Sequence, residues 1–158
     1  MNPDLANVLR SVLQTQHIAS LGTLHQGEPY VSMVPFALLP GGVFVIHVSA
    51  LAAHTKDMLA SPRVSLLVIA PPDGQTPAQA VARVTLQADA QPLDDSLPEH
   101  AEARAAYLAR FPQSAQTFEL SDFSLFAIRP RSLRVVGGFA QAKTVTPEGL
   151  AKVLSGEP

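Results

Sequence analysis

Cysteine and tryptophan are absent from the 158 residues. Without cysteine there is no disulfide framework, zinc ribbon, thiol nucleophile or cysteine-ligated iron–sulfur cluster. With only two tyrosines besides, no side chain offers redox chemistry of its own, so any electron transfer must come from a cofactor. Charge is sparse too: Asp, Glu, Lys and Arg make up 15% of the chain, well below the usual quarter, and the net charge is −2. No basic patch or stripe stands out, which argues against nucleic acid as a partner. Long apolar runs are missing as well. None approaches the roughly 18 residues a transmembrane helix needs, and the N-terminus lacks a basic stretch followed by an apolar one. No membrane association and a cytoplasmic location are therefore expected. The five histidines (17, 25, 47, 54 and 100) form no HxxxH pair, so no metal site is expected.

What the chain does have is apolar surface: 47% of its residues are hydrophobic. One domain over residues 1–158 is large enough to bury a sizeable core, and the excess points to a further buried interface, most simply that of a homodimer. Leu5, Val8, Leu9, Val12 and Leu13 recur at helical spacing behind Asn2 or Asp4 as a cap. Ile18 to Leu24 and Pro29 to Ala37 then read as a hairpin turning at Gly27. Pro35 inside the return strand implies an edge, a bulge, or a place where a ligand replaces the neighbouring strand. Further strands are expected over 43–49, 64–70, 80–90, 121–128 and 132–136. The Arg129-Pro130 pair is expected to break the chain between the last two. Helices are expected after Ala50, over about 96–110 with Ala101, Ala105, Leu108 and Ala109 on the packed side, and weakly after Pro147. Three early strands with no helix between them exclude a doubly wound sheet. The pattern is α+β, with an antiparallel barrel and flanking helices.

The most informative stretch is the β-branched strand Val43 to Ser49 running into a helix that begins with His54, Thr55 and Lys56. Hydroxyls, an imidazole and an ammonium at a helix N-terminus suit an anion, because the first backbone N–H groups are free and the dipole is positive there. The competing reading is a plain cap by Ser49 or Thr55, with Lys56 a solvated charge.

Several segments together resemble one family. They are Leu21-Gly-Thr-Leu24 with Gly27-Glu-Pro-Tyr-Val-Ser-Met-Val-Pro35-Phe36; Ser49 to Lys56; Ser61-Pro-Arg-Val-Ser-Leu-Leu67; Ala82-Arg83-Val-Thr-Leu86; and Asp122 to Ala140. Over roughly residues 3 to 142 the chain resembles the pyridoxamine 5′-phosphate oxidase-like FMN-binding split barrels. Its last part is similar to their haem-utilisation branch. The resemblance implies an antiparallel split β-barrel and a homodimer with the cofactor site at the subunit interface. It also implies an FMN phosphate held by Ser49, His54, Thr55, Lys56 and Arg83, and an isoalloxazine edge facing the backbone of Ser32, Met33 and Val34. A deazaflavin would use the same clamp. No catalytic side chain is assigned. Arg134, in the haem-like segment, also reads as an ordinary exposed strand arginine.

Two departures from the family pattern bear on function. Haem iron needs an axial His, Cys, Met or Tyr, and none occurs after Tyr107, which leaves His25, His47 or His54. The segment Gly138 to Lys143 lacks the Arg and His expected for a vitamin B6 substrate. The expectation is an FMN-dependent oxidoreductase acting on a small molecule. The alternatives are a haem-binding or haem-utilisation protein, a non-catalytic flavin module, or a barrel that has lost its cofactor; fold alone does not choose among them.

Overall fold

The computed structural model describes residues 1–138 and 140–157; Phe139 and Pro158, both within segments discussed above, lie outside the described residues. Helix α1 (Pro3–Thr15) starts where Asn2 accepts a hydrogen bond from the Asp4 N–H, satisfying one of the orphan donors of the first turn. Its buried stripe is Leu5, Leu9, Val12 and Leu13, each contributing roughly 1.5–3 kcal/mol on burial. The hairpin follows as β1 (Ile18–His25) and β2 (Glu28–Pro35), in register from Ile18 opposite Pro35 to His25 opposite Glu28. Gln26 and Gly27 both take positive φ in the turn, the conformation that two-residue hairpin loops require.

The chain continues through β3 (Ala37–Leu38), β4 (Phe44–Ser49), helix α2 (Ala53–Ala60), β5 (Arg63–Ile69), a 3-10 turn (Ala78–Ala80) and β6 (Arg83–Leu93). Helix α3 (Pro98–Arg110), a 3-10 segment (Pro112–Glu119), β7 (Phe123–Gly138), β8 (Gln141–Val145) and α4 (Pro147–Ser155) complete it. The strands form one antiparallel sheet in the order β2-β1-β5-β6-β7-β4-β3, with β8 joined to β7. The sheet is curled around the main core, so the expected α+β split barrel with flanking helices is the architecture observed. No helix among the described residues is long and apolar enough to cross a membrane.

Several expected boundaries moved, each for a physical reason. The strand expected from Ala80 begins at Arg83, because residues 78–80 form the 3-10 turn. Pro130 does not break β7. Gln87 lies opposite Ser132 and Ala88 opposite Pro130, so Arg131 is an extra residue in β7 and Pro130 sits at that bulge, where a missing N–H is tolerated. The first half of β7 pairs with β4 and the second half with β8, while β6 runs along its other side. Helix α3 packs through Ala103 and Tyr107 rather than Ala101, Ala105, Leu108 and Ala109, because Tyr107 joins an aromatic group with Phe111 and Phe118. Strand β8 was not anticipated.

Two apolar clusters result. The larger lies inside the curled sheet and is closed by α1 and α4; it includes Leu9, Leu21, Phe36, Ile46, Leu66, Leu86 and Phe126. The smaller joins Val45, Leu93, Leu125 and Ala127 of the sheet to α3.

Candidate functional site

Helix α2 lies against β1. Its N-cap is Ala52, with no side-chain cap bond, so neither Ser49 nor Thr55 serves as the cap. Thr55 is buried at 2% exposure and its hydroxyl has no partner; the Ser32 hydroxyl, on β2, is also buried and unpartnered. His54 is half-buried. Burial lowers its pKa, against the smaller opposing effect of Asp57. Lys56 is exposed. Ser49 donates from its hydroxyl to Asp122 Oδ2 at 3.0 Å and accepts from the Leu51 N–H. On β2, Val34 is buried, Met33 is exposed on the outer face, and Ser32 lies between. Arg134 is exposed on β7, with Nη1 3.4 Å from the Thr144 hydroxyl of β8.

The remaining member of the expected phosphate clamp stands apart. Ser49 pairs with Phe123, the first residue of β7, whereas Arg83 pairs with Val136 near its other end. The Arg83 guanidinium donates to the carbonyls of Gln79 and Val81, tying down the turn before β6. Within one chain, then, Ser49, His54, Thr55 and Lys56 gather at α2 and Arg83 does not join them. The Asp122 carboxylate on Ser49 also places a negative charge where a phosphate dianion was expected, an unfavourable juxtaposition.

Sequence reasoning missed a buried, hydrogen-bonded carboxylate in this region. Asp57, in the second turn of α2, is 5% exposed. Its Oδ2 accepts from the Thr23 hydroxyl at 2.8 Å and its Oδ1 bonds His25 Nδ1 at 2.7 Å. Burial works to raise the Asp57 pKa; the hydrogen bonds of His25 and Thr23 and the charges of His25 and His54 outweigh it and hold the carboxyl below its usual range. A signal existed in the alternation of β1, where Thr23 and His25 share the inward face with Leu21 and Ala19.

On the opposite side of the hairpin, Ile18, Leu24, Val31 and Met33 are all exposed. A shallow groove of about 340 Å³ crosses this face, lined by Gly22, Leu24, Val31, Ser65, Arg63 and Arg131 among others. The two guanidinium groups share the single carboxylate of Asp89, at 3.5 and 3.3 Å, so the rim keeps a net positive charge. A second polar pocket surrounds His47 on β4. That ring stacks on Phe118 with centroids 3.9 Å apart and lies against Tyr107 and Phe123. Burial, with the nearby His100 and Arg104, lowers its pKa to about 4. Among the described residues no cluster of three or more His, Cys, Asp or Glu side chains could hold a bare metal ion.

A curled antiparallel sheet with flanking helices defines a protein of the split-barrel class. The family model for pyridoxamine 5′-phosphate oxidase matches residues 5–137, and the chain belongs to that family. It is 39% identical over 137 residues to HOZ, a chloroplastic haem oxygenase of Arabidopsis thaliana, covering 85% of this chain and 40% of that protein. It is 31% identical over 129 residues to the haem oxygenase HutZ of Vibrio cholerae, covering 79% of this chain and 71% of HutZ. Among solved structures, a haem-binding protein from Mycobacterium smegmatis superposes with a TM-score of 0.82 at 34% identity, over 96% of this chain and 61% of that one. The chain thus spans well under half of HOZ and about three-fifths of the mycobacterial protein.

These relatives overturn the expected FMN-dependent oxidoreductase. The similarity runs to proteins named for haem. The haem alternative gains what the flavin reading loses. A haem needs an apolar wall, cationic groups for its two carboxylates and a nitrogen for iron. The outer hairpin face, with Arg63 and Arg131 on its groove, supplies the first two kinds; His25 and the α2 residue His54 lie on the other side of the hairpin.

Proposed function

We propose that the chain forms a single split-barrel domain that binds haem as its small-molecule substrate and works as a homodimer. The observation that carries this reading is the 39% and 31% identity to two proteins named haem oxygenases, over most of this chain. The reaction class proposed is oxidative opening of the macrocycle, and the compartment proposed is the cytoplasm.

The outer hairpin face supports it. Ile18, Leu24, Val31 and Met33 supply an apolar wall that a flat macrocycle covers, removing it from water at roughly 25 cal/mol per Å². Arg63 and Arg131 offer charge-assisted donors to the propionates. Strand β2 ends the sheet, so its outward backbone groups remain open to a ligand or to a second copy. A second copy placed on this face closes the other side of the groove and shields the bound macrocycle from water.

Titrating haemin into the purified protein tests the reading. A saturable Soret shift is expected, and Arg63→Ala/Arg131→Ala is expected to weaken binding by about tenfold, or about 1.4 kcal/mol. Absence of any shift in the wild type contradicts the proposal. Loss of the Soret band on adding ascorbate under oxygen assigns an oxygenase. A band that persists assigns storage, which is how the V. cholerae HutZ structure, with a TM-score of 0.74, is described.

A further inference from the structure

The cationic rim of the hairpin groove carries its own counter-charge. On the outer face of the sheet, Asp89 of β6 stands opposite Arg63 of β5 and Arg129 of β7. Arg129 is drawn away from it: its Nε donates to Gln91 and its Nη2 to Glu99. The place beside Asp89 goes instead to Arg131, the extra residue of β7, since a bulge re-aims the side chains it carries. The Arg131 Nε lies 3.3 Å from Asp89 Oδ2, and the Arg63 Nε lies 3.5 Å from Oδ1. Each carboxylate oxygen therefore faces one guanidinium. Among the described residues no other carboxylate pairs with either arginine.

Asp89, Arg131 and Arg63 are 40%, 41% and 59% exposed, and exposed pairs of this kind hold weakly. The carboxylate is nonetheless tethered to the same sheet as its partners. A tethered group competes at an effective concentration far above that of a dilute free anion, so a small anion in solvent gains little by replacing it. A carboxylate attached to a body already seated in the groove competes on equal terms, because seating makes its own contact intramolecular. The groove provides that seat: Gly22, Leu24 and Val31 line it alongside both arginines. Once displaced, Asp89 is exposed enough to be hydrated where it stands, so no buried unpaired charge is left behind.

We propose that Asp89 is a specificity-determining residue of the groove: it holds Arg63 and Arg131 until an anionic group arrives on a molecule whose apolar body fills the groove. The inference rests on the haem reading above and deepens it by naming the group that a propionate displaces. Asp89 lowers the affinity for haem and in return keeps small anions off the rim, a penalty placed on the wrong ligand.

The test is a set of Soret titrations with haemin and with haemin dimethyl ester, whose propionates carry no charge. The proteins are wild type, Asp89→Asn, Asp89→Glu, and Asp89→Asn added to Arg63→Ala/Arg131→Ala. Asp89→Asn is expected to bind haemin about three- to fivefold more tightly, the weight of two exposed ion pairs, and to bind the ester no more tightly than wild type. Asp89→Glu restores the charge and the wild-type affinity. Without the two arginines, most of the gain disappears. Phosphate added at constant ionic strength is expected to weaken haemin binding to Asp89→Asn and to leave the wild type unaffected. The proposal is overturned if Asp89→Asn leaves haemin affinity unchanged or lowers it, if the ester gains equally, if the gain persists in full without the arginines, or if phosphate competes equally in both proteins. Each of those results leaves haem uptake by the wild type standing. A wild type that takes up no haemin overturns the haem reading itself, and this proposal with it.

Discussion

The imidazole of His47 is a base held neutral by its surroundings. The folded protein keeps its pKa near 4, through burial first and then through His100 and Arg104. Asp94 and Asp95 line the same pocket but do not offset these effects. An unfolded histidine titrates near 6.5, so as the pH falls the unfolded chain takes up the proton before the folded one. The stability linked to His47 is therefore fully present above about pH 6.5, is lost as the pH falls toward 4, and changes no further below that. Because the ring is only partly buried, the expected loss is roughly 1–2 kcal/mol. Urea melts of wild type and His47→Phe between pH 4 and 7 check this: the variant keeps the stack on Phe118 and should lack that part of the slope. Parallel slopes contradict it. The same scale shows what was not legible in the sequence. His47 alternates with buried residues in a strand that was read correctly, but its cage is built by Tyr107, Phe118 and Phe123, far along the chain. Likewise Asp57 reads as an ordinary helix carboxylate until β1 lays Thr23 and His25 beside it.

At the scale of elements, the connections between helices depend on single side chains. Arg110, the last residue of α3, donates to the carbonyls of Phe36, Leu13 and Gln14, and its guanidinium lies 4.9 Å from the centroid of the Phe36 ring. It thereby serves carbonyls at the end of α1, which have no helical partners of their own. Arg110→Ala is expected to cost about 2–3 kcal/mol, from lost charge-assisted bonds and unpaired carbonyls together. A denaturation midpoint unchanged from wild type contradicts this. Elements with local signals were legible: the periodic face of α1, the hairpin turn at Gly27, the alternating faces of β6 and the start of α4 all follow from short-range patterns. Elements decided by long-range pairing were not. Pro130 sits within a strand at the bulge that the extra residue Arg131 makes opposite β6. Strand β8 exists because the second half of β7 leaves an edge for it. Ser49 and Arg83 were read from separate short segments; the sheet register sets Ser49 opposite Phe123 and Arg83 opposite Val136, at the two ends of β7.

For the whole molecule, the exposed apolar side of the β1–β2 hairpin is the feature most in need of a covering partner. Val31 and Met33 expose 70% and 59% of their surface on an edge strand, an arrangement soluble chains rarely leave uncovered. If a second copy covers it, Val31→Glu/Met33→Glu should run as a monomer in light scattering at micromolar concentration while the wild type runs as a dimer. A wild-type monomer, or a dimer indifferent to the double change, contradicts that part of the account. The same substitutions are expected to weaken haemin binding, since the apolar wall and the copy that closes it are lost together.

The central claim is that this family member takes haem where its flavin-like motifs suggest FMN. The most direct measurement is a parallel titration of the wild-type protein with haemin and with FMN, followed by visible absorbance. The account predicts a saturable Soret shift with haemin at a fixed stoichiometry and no stoichiometric uptake of FMN. A yellow, stoichiometric FMN complex with no Soret response to haemin would contradict it.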